Sequence, residues 1–357
     1  TSGSSGTSGS SGTSGSSGTS GSSGTSGSSG TSGFSGTSGS SGTSGSSGTS
    51  GSSGTSGSSG TSANASGTTN TIAKFTSASV LGDSNTTDVV HSLSINSVIV
   101  GRGAGNVASN TVVGNGALNA NTTGVNNTSI GYYSLANNTI GTENNAFGSY
   151  ALYSNTTGSK NNAFGYRSLR SNTIGIDNNA FGYYALRANT TGSYNVAVGN
   201  RSLRSNTFGY SNVAVGYNSL YGNTTGKNNS AFGHNALLYN TIGSSNVAIG
   251  YETLFSSVTG INSTAVGYQA LRSSTTGYNS AFGYRALYLN TTGVDNTAIG
   301  NQALRFNTIG KQNTVVGSAA LFSNTTGDSN SAFGYTSLYA NTIGVENTAN
   351  RKSITSF

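Results

Sequence analysis

From Gly124 onward the chain repeats one 17-residue phrase: "GTENNAFGSYALYSNTT" (141–157) runs into "GSKNNAFGYRSLRSNTI" and then "GIDNNAFGYYALRANTT". So short a period is the strongest constraint on the fold. Helical solenoids need about 30 residues or more for a helix pair. Each unit here carries two glycines and closes on Asn and Thr, which disfavours a helix. Two strands of four or five residues with turns between them do fit. The period therefore predicts an all-β chain, a repetitive parallel β-solenoid or β-roll with one 17-residue coil per repeat.

With the leading Gly as position 0, units start at Gly124, Gly141, Gly158, Gly175, Gly192, Gly209, Gly226, Gly243, Gly260 and Gly277; after one deletion they resume at Gly293, Gly310, Gly327 and Gly344. The consensus is G-x-x-N-x-A-Φ-G-x-x-[AS]-L-x-x-N-T-[TI], with Φ aliphatic or Phe. The first strand is expected on "NAFG" and the second on "ALY" or "SLR". "NTTG" reads as the closing turn, its Asn making an Asx-turn and its Gly taking positive φ. Asn155, Asn189, Asn223, Asn290 and Asn324 would then hydrogen-bond from coil to coil.

Alternation along a strand puts Ala146, Gly148 and Leu152 inside and position 6 outside. That position holds Phe147, Phe164, Phe181, Val198, Val215, Phe232, Ile249, Val266, Phe282, Ile299, Val316 and Phe333. An apolar stripe on an outer face calls for a cover. A subunit interface with further copies of the chain is the economical one, and a monomeric solenoid with a wider, two-layered core is the alternative.

Residues 1–60 are Gly triplets, "TSGSSGTSGSSG", interrupted only by Phe34. Glycine at every third position is the signature of three chains wound about one axis, so this segment reads as a collagen-like or polyglycine-type extended stalk, with a flexible Gly/Ser linker as the alternative. Sixty residues would span roughly 190 Å. The organisation expected is a stalk at 1–60, a β-rich collar at 61–106, a solenoid of fourteen repeats at 107–343, and a C-terminal cap or truncated end at 344–357. With no Met in the sequence, a leader or longer N-terminal region is expected to precede it.

Chemistry is scarce. Only 6% of residues are charged, and Cys, Met, Trp and Pro are absent, which removes disulfides, thiolate nucleophiles and cysteine metal sites. His91 and His234 are far apart, and the eight acids show no metal-ligand spacing. No phosphate loop or nucleophile elbow occurs. We expect no enzyme, catalytic site, cofactor or metal. The net charge of +7 comes from scattered Lys and Arg without a basic run, which argues against nucleic acid. No apolar run is long enough for membrane insertion by a helix.

Two surface features stand out. Tyr132, Tyr166, Tyr183, Tyr217, Tyr251, Tyr268, Tyr284 and Tyr335 recur at position 8, and Arg170, Arg187, Arg204, Arg272 and Arg305 at position 12. Such rows either stack up a β-ladder or bind cell-surface glycans multivalently. Asn121, Asn137, Asn155, Asn189, Asn223, Asn290 and Asn324 meet the N-glycosylation pattern.

With "TNTIAKFTSASVLGDSNTTD" (69–88), the "NNAFGYRSLRSNTIG" unit and the upstream Gly triplets in view, the chain resembles trimeric viral and phage tail-fibre shafts. More distantly it is similar to the β-roll heads of trimeric autotransporter adhesins. The resemblance implies an extracellular structural fibre on a virion or cell surface, a homotrimer serving projection and attachment, able to polymerise into a filament. The alternative is a glycosylated cell-surface filament or adhesin of a microbe, with Tyr and Arg ladders binding glycans.

Overall fold

The structure, a computed structural model, describes residues 71–77, 80–88, 92–95 and 97–351, with side chains from residue 97 onward. The expected stalk at 1–60 lies outside the described residues. The chain divides into two compact units, Thr1–Ser84 and Asn85–Phe357. The first contributes strand β1 (Thr71–Ser77) and the start of β2 (Val80–Asp88).

The second unit begins with antiparallel pairing and then changes to parallel. The end of β2 pairs antiparallel with β3 (Ser92–Ile95), β3 with β4 (Val98–Gly101), and β4 with β5 (Thr111–Gly114). From β5 every pairing is parallel. Fifteen short strands, β5 to β19, follow one per coil, from Thr111–Gly114 through Asn145–Phe147 and Asn162–Phe164 to Thr348–Asn350. Like pairs with like: Asn162, Ala163 and Phe164 sit opposite Asn179, Ala180 and Phe181. At about 4.8 Å per coil, the stack extends roughly 67 Å. Antiparallel β4 covers the open edge of the first coil, the edge that would otherwise recruit another strand.

This is the one-coil-per-repeat parallel solenoid that the period predicts, with corrections in its details. Each coil has one strand, not two. The "ALY" and "SLR" segments form consecutive tight turns instead: Ala151 N–H donates to Gly148 O at 3.2 Å, and Asn155 N–H to Leu152 O at 3.2 Å. Left-handed residues recur at position 9 (Tyr150, φ 60) and at position 11 (Leu152, φ 51), which breaks the extended geometry. Such φ values cost a non-glycine residue about 1–2 kcal/mol and persist where the surroundings over-determine them. Here the surroundings are the neighbouring coils. Tyr150 N–H donates down to Tyr132 O at 2.8 Å, and Leu152 N–H donates up to Ser168 O at 3.0 Å, so the turns stay in the inter-coil ladder.

The glycine of "NTTG" was expected to carry positive φ and does not. The left-handed residue of that corner is at position 2, for example Asp177 at φ 55. Glycine is needed at position 0 for space. A Cβ on Gly175 would run into the carbonyl oxygen of Gly192 and lie 2.5 Å from Asn172 Oδ1. At position 7 both reasons apply: Gly165 has φ 133, and its Cβ would meet Gly182 O at 2.5 Å.

The interior is narrow. Position 5 (Ala146, Ala163, Ala180) and position 11 (Leu152, Leu169, Leu186) are fully buried. So are two asparagines per coil, at positions 3 and 14. Position 14 forms the expected ladder, Asn172 Nδ2 donating to Asn155 Oδ1 at 2.7 Å and Asn189 Nδ2 to Asn172 Oδ1 at 2.7 Å. Position 3 forms a second ladder, the N–H of Asn161 donating to Asn144 Oδ1 at 3.0 Å. Both converge on the position-0 glycine: Gly175 O accepts from Asn161 Nδ2 at 2.9 Å and from Asn172 Nδ2 at 3.0 Å. Both lone pairs of that carbonyl are thus satisfied inside the coil.

One fault interrupts this pattern. The deletion falls at the end of the coil that begins at Gly260, where Thr276 takes the position-0 place: its carbonyl lies where a Cβ on Gly260 would point. Around it Ser257, Ser263 and Ser274 stand where the ladders have Asn. A position-0 Cβ collides with the Asn oxygen in the other coils, so Ser274 makes room for the Thr276 side chain while donating to Thr276 O at 3.1 Å. Ser257 lacks this compensation. Its Oγ and the Oδ1 of Asn240 are both buried without a partner. Past residue 343, Thr348–Asn350 adds a further strand against Ser331–Phe333, and Arg351 N–H donates to Phe333 O at 2.8 Å.

Gly165→Ala is expected to destabilise the fold by about 3 kcal/mol or more, from clash and φ strain together; urea unfolding followed by circular dichroism reads this. Ser257→Asn is expected to stabilise by about 1 kcal/mol by restoring donation to Asn240 Oδ1. Ser274→Asn in the same assay should destabilise, because its oxygen would meet the Thr276 side chain.

Candidate functional site

Function has to reside on the outside of the coils, because their interior is filled by Ala, Leu and Asn. The strand direction sets the first outer row. Ala at position 5 points in, so position 6 points out: Phe181, Val198, Phe232, Ile249, Phe282, Ile299, Val316 and Phe333 are exposed, and Phe147, Phe164, Val215 and Val266 are half-buried. Phe147, Phe164 and Phe181 stack with centroids 4.5 and 4.9 Å apart. A second apolar row escaped the sequence reading. Ile140, Ile174, Phe208, Ile242, Ile309 and Ile343 at position 16 are about half exposed, in alternate coils. Its signal was the alternation of N-T-T with N-T-I and N-T-F.

The position-8 tyrosines stack on one another. Tyr166 stacks on Tyr183 at 5.5 Å; Tyr217, His234, Tyr251, Tyr268 and Tyr284 form one column with centroids 5.1–5.4 Å apart. Tyr132 meets Tyr133 and Tyr150 edge-on, and Tyr335 is exposed. Within each column the ring faces cover one another, leaving edges and hydroxyls to solvent. His234 is a member of this column, and His91 lies outside the described residues.

The arginines stack too, on rings that sequence reasoning had not singled out. Arg170 lies over Tyr153 at 5.3 Å, Arg187 over Tyr184 at 5.3 Å, Arg204 over Tyr221 at 5.5 Å, Arg272 over Phe255 at 4.7 Å and Arg305 over Phe306 at 4.9 Å. Position 9 adds Arg167 over Tyr166 at 5.0 Å. Its turn geometry brings it beside position 12, a proximity that strand alternation does not suggest. The phenol of Tyr184 is held below its usual range, chiefly through the Tyr183 hydroxyl and also by Arg167 and Arg187, against opposing burial.

The row divides at Glu252. Arg272 Nε donates to Glu252 Oε1 at 2.6 Å, the one ion pair among the described residues. Gln269 Nε2 donates to the same oxygen at 3.2 Å, and Arg285 Nε donates to Gln269 Oε1 at 2.8 Å. This chain of contacts spans the coils that contain the ladder fault, a clamp outside where the inside is weakest. Burial pushes the Glu252 carboxyl up, but hydrogen bonds from Arg272, Tyr251 and Gln269 outweigh it and hold the group below the usual carboxylate range.

The glycosylation pattern is corrected for six positions. Asn121, Asn155, Asn189, Asn223, Asn290 and Asn324 are buried, and each side-chain amide donates to the glycine three residues on, as Asn155 Nδ2 does to Gly158 O at 2.8 Å. A sugar on that nitrogen and a closed coil are mutually exclusive. Asn137, one residue before the ladder, is exposed.

Among the described residues no group of three or more His, Cys, Asp or Glu is placed to hold a metal, and no helix is long and apolar enough to cross a membrane. Residues 1–64 match the collagen triple helix repeat family, over 20 copies of the triplet. No curated protein and no solved structure matches the chain. Collagen-like triplets joined to a parallel β-solenoid point to a structural fibrous protein, and the triplets to a secreted or extracellular one that self-associates.

Produced through a eukaryotic secretory route, the folded chain should carry no N-linked sugar at the six ladder positions, while the exposed Asn137 stays open to it; peptide mass spectrometry showing occupancy at Asn155 or Asn189 would contradict the ladder. The low folded-state pKa of Glu252 stabilises the protein above the ordinary carboxylate value of about 4.3, and this contribution is lost as pH falls through the folded value. Hydrogen exchange should therefore show coils 243–292 losing protection on acidification before the coils at 141–225, and Glu252→Gln should abolish that difference.

Proposed function

We propose that this protein is an extracellular structural fibre and a homotrimer, its solenoid serving as the projecting shaft of a tail-fibre-like or surface attachment structure. The observation that carries this reading is the pairing of a collagen-type Gly period with a continuous outward apolar row at position 6. A collagen helix requires three chains. An apolar row running up consecutive coils fits a partner with the same rise per coil, and another copy of this chain has it. The solenoid suits a shaft, since each coil stacks only on its neighbours and length is set by the number of repeats. A fibre of this kind can join end to end into a longer filament and carry receptor-binding surfaces along its sides.

Light scattering of the full chain should give three times the 35.5 kDa chain mass. Changing Phe181, Val198 and Val215 together to Asp should shift that mass towards one chain. A one-chain mass for the unaltered protein would contradict the proposal.

A further inference from the structure

The Tyr and Arg rows are not uniform along the stack. From Tyr150 to Tyr221 five arginines, Arg167, Arg170, Arg187, Arg201 and Arg204, stand among stacked tyrosines, and none pairs with an acid. The one acid in this span, Asp177, lies at position 2, in the turn before the strand, whereas the arginines follow it. Beyond Tyr221 the pattern changes: Arg272 is neutralised by Glu252, and Arg285 and Arg305 donate to Gln269 and Gln302.

Stacking fixes how the free guanidinium groups present themselves. Arg170, Arg187 and Arg204 lie over tyrosine rings, and the Nε atoms of these three and of Arg167 are buried without an acceptor. The charge is left without a carboxylate; Arg167 and Arg204 each donate one terminal N–H to a tyrosine hydroxyl, of Tyr184 at 3.4 Å and of Tyr221 at 3.0 Å, and the other terminal nitrogens remain for an outside partner, since a guanidinium takes a carboxylate in a two-point contact. At position 12 the three recur in consecutive coils about 4.8 Å apart, comparable to the rise of one sugar in an extended polysaccharide. The tyrosine faces are already covered by other rings and by guanidinium groups, so bases have no free platform on which to stack, as single-stranded nucleic acid requires.

We infer that the strip formed by Arg167, Arg170, Arg187, Arg201 and Arg204 with Tyr150, Tyr184 and Tyr221 binds a linear carboxylated polysaccharide, one acidic sugar per coil. This deepens the attachment role proposed above. Recognition is by charge and hydrogen bonds from Arg and Tyr, not by sugars stacking on ring faces. Single contacts at an exposed surface are weak, and repetition up the stack supplies the avidity.

The test measures binding of the full chain to polygalacturonate, to the same polymer fully methyl-esterified, and to single-stranded poly-dT. Binding to the acid form alone, weakening with salt, is expected. Arg170→Gln/Arg187→Gln/Arg204→Gln should lower affinity about tenfold or more, with hydrogen-exchange protection of the coils checked in the same sample. Equal binding of the ester, no binding or unchanged affinity in the folded triple variant overturns the inference. Equal or tighter poly-dT binding overturns it in favour of a nucleic acid. The mass of the unliganded sample separates this outcome from the fibre reading: a threefold mass without polysaccharide binding removes the strip and leaves the shaft.

Discussion

Outside the fault, the carbonyl oxygen of each position-0 glycine accepts two buried asparagine amides, and the coil closes around that pair of bonds. In the coil at Gly175 the donors are Asn161 and Asn172, which approach from opposite ends of the repeat. Burying an amide without a partner costs about 1–3 kcal/mol. Two per coil would be prohibitive in so thin a core unless each were satisfied. The same contact explains why position 0 is glycine: the oxygen of Asn172 and the carbonyl of the next coil occupy the space of a side chain. Glycine, two asparagines and the 17-residue spacing are one constraint stated three ways.

What the interior settles, the exterior inherits. Like coils in parallel register place residues above their equivalents, so an aromatic repeated at one position becomes a column and an Arg repeated beside it becomes part of a cation–aromatic stack. Chemistry on this surface is therefore chemistry in rows. Where the interior pattern fails, at Ser257 and Ser274, the exterior compensates through Glu252, Gln269, Arg272 and Arg285. The arginine used in that clamp is no longer available for a partner, which is why the two halves of the stack differ in charge character.

The architecture was legible from period and composition, and so were the inward Ala and Leu, the outward position 6 and the asparagine ladder at position 14. The second side of the coil was not. "ALY" has the composition of a strand, and only the inter-coil hydrogen bonds force Tyr150 and Leu152 into left-handed turns. The position-3 ladder was visible as an Asn recurring in the consensus, but its role depends on a carbonyl fourteen residues away. Six glycosylation patterns misled because the rule reads three residues, whereas burial of Asn155 or Asn189 is a property of the whole stack.

Cryo-electron microscopy of the intact chain, at a resolution that shows side chains, tests the central claim most directly. The account predicts one coil per 17 residues at about 4.8 Å spacing, with asparagine side chains at positions 3 and 14 turned inward onto the glycine carbonyl. Coils that close on another period, or asparagines at these positions turned outward to solvent or sugar, would contradict it.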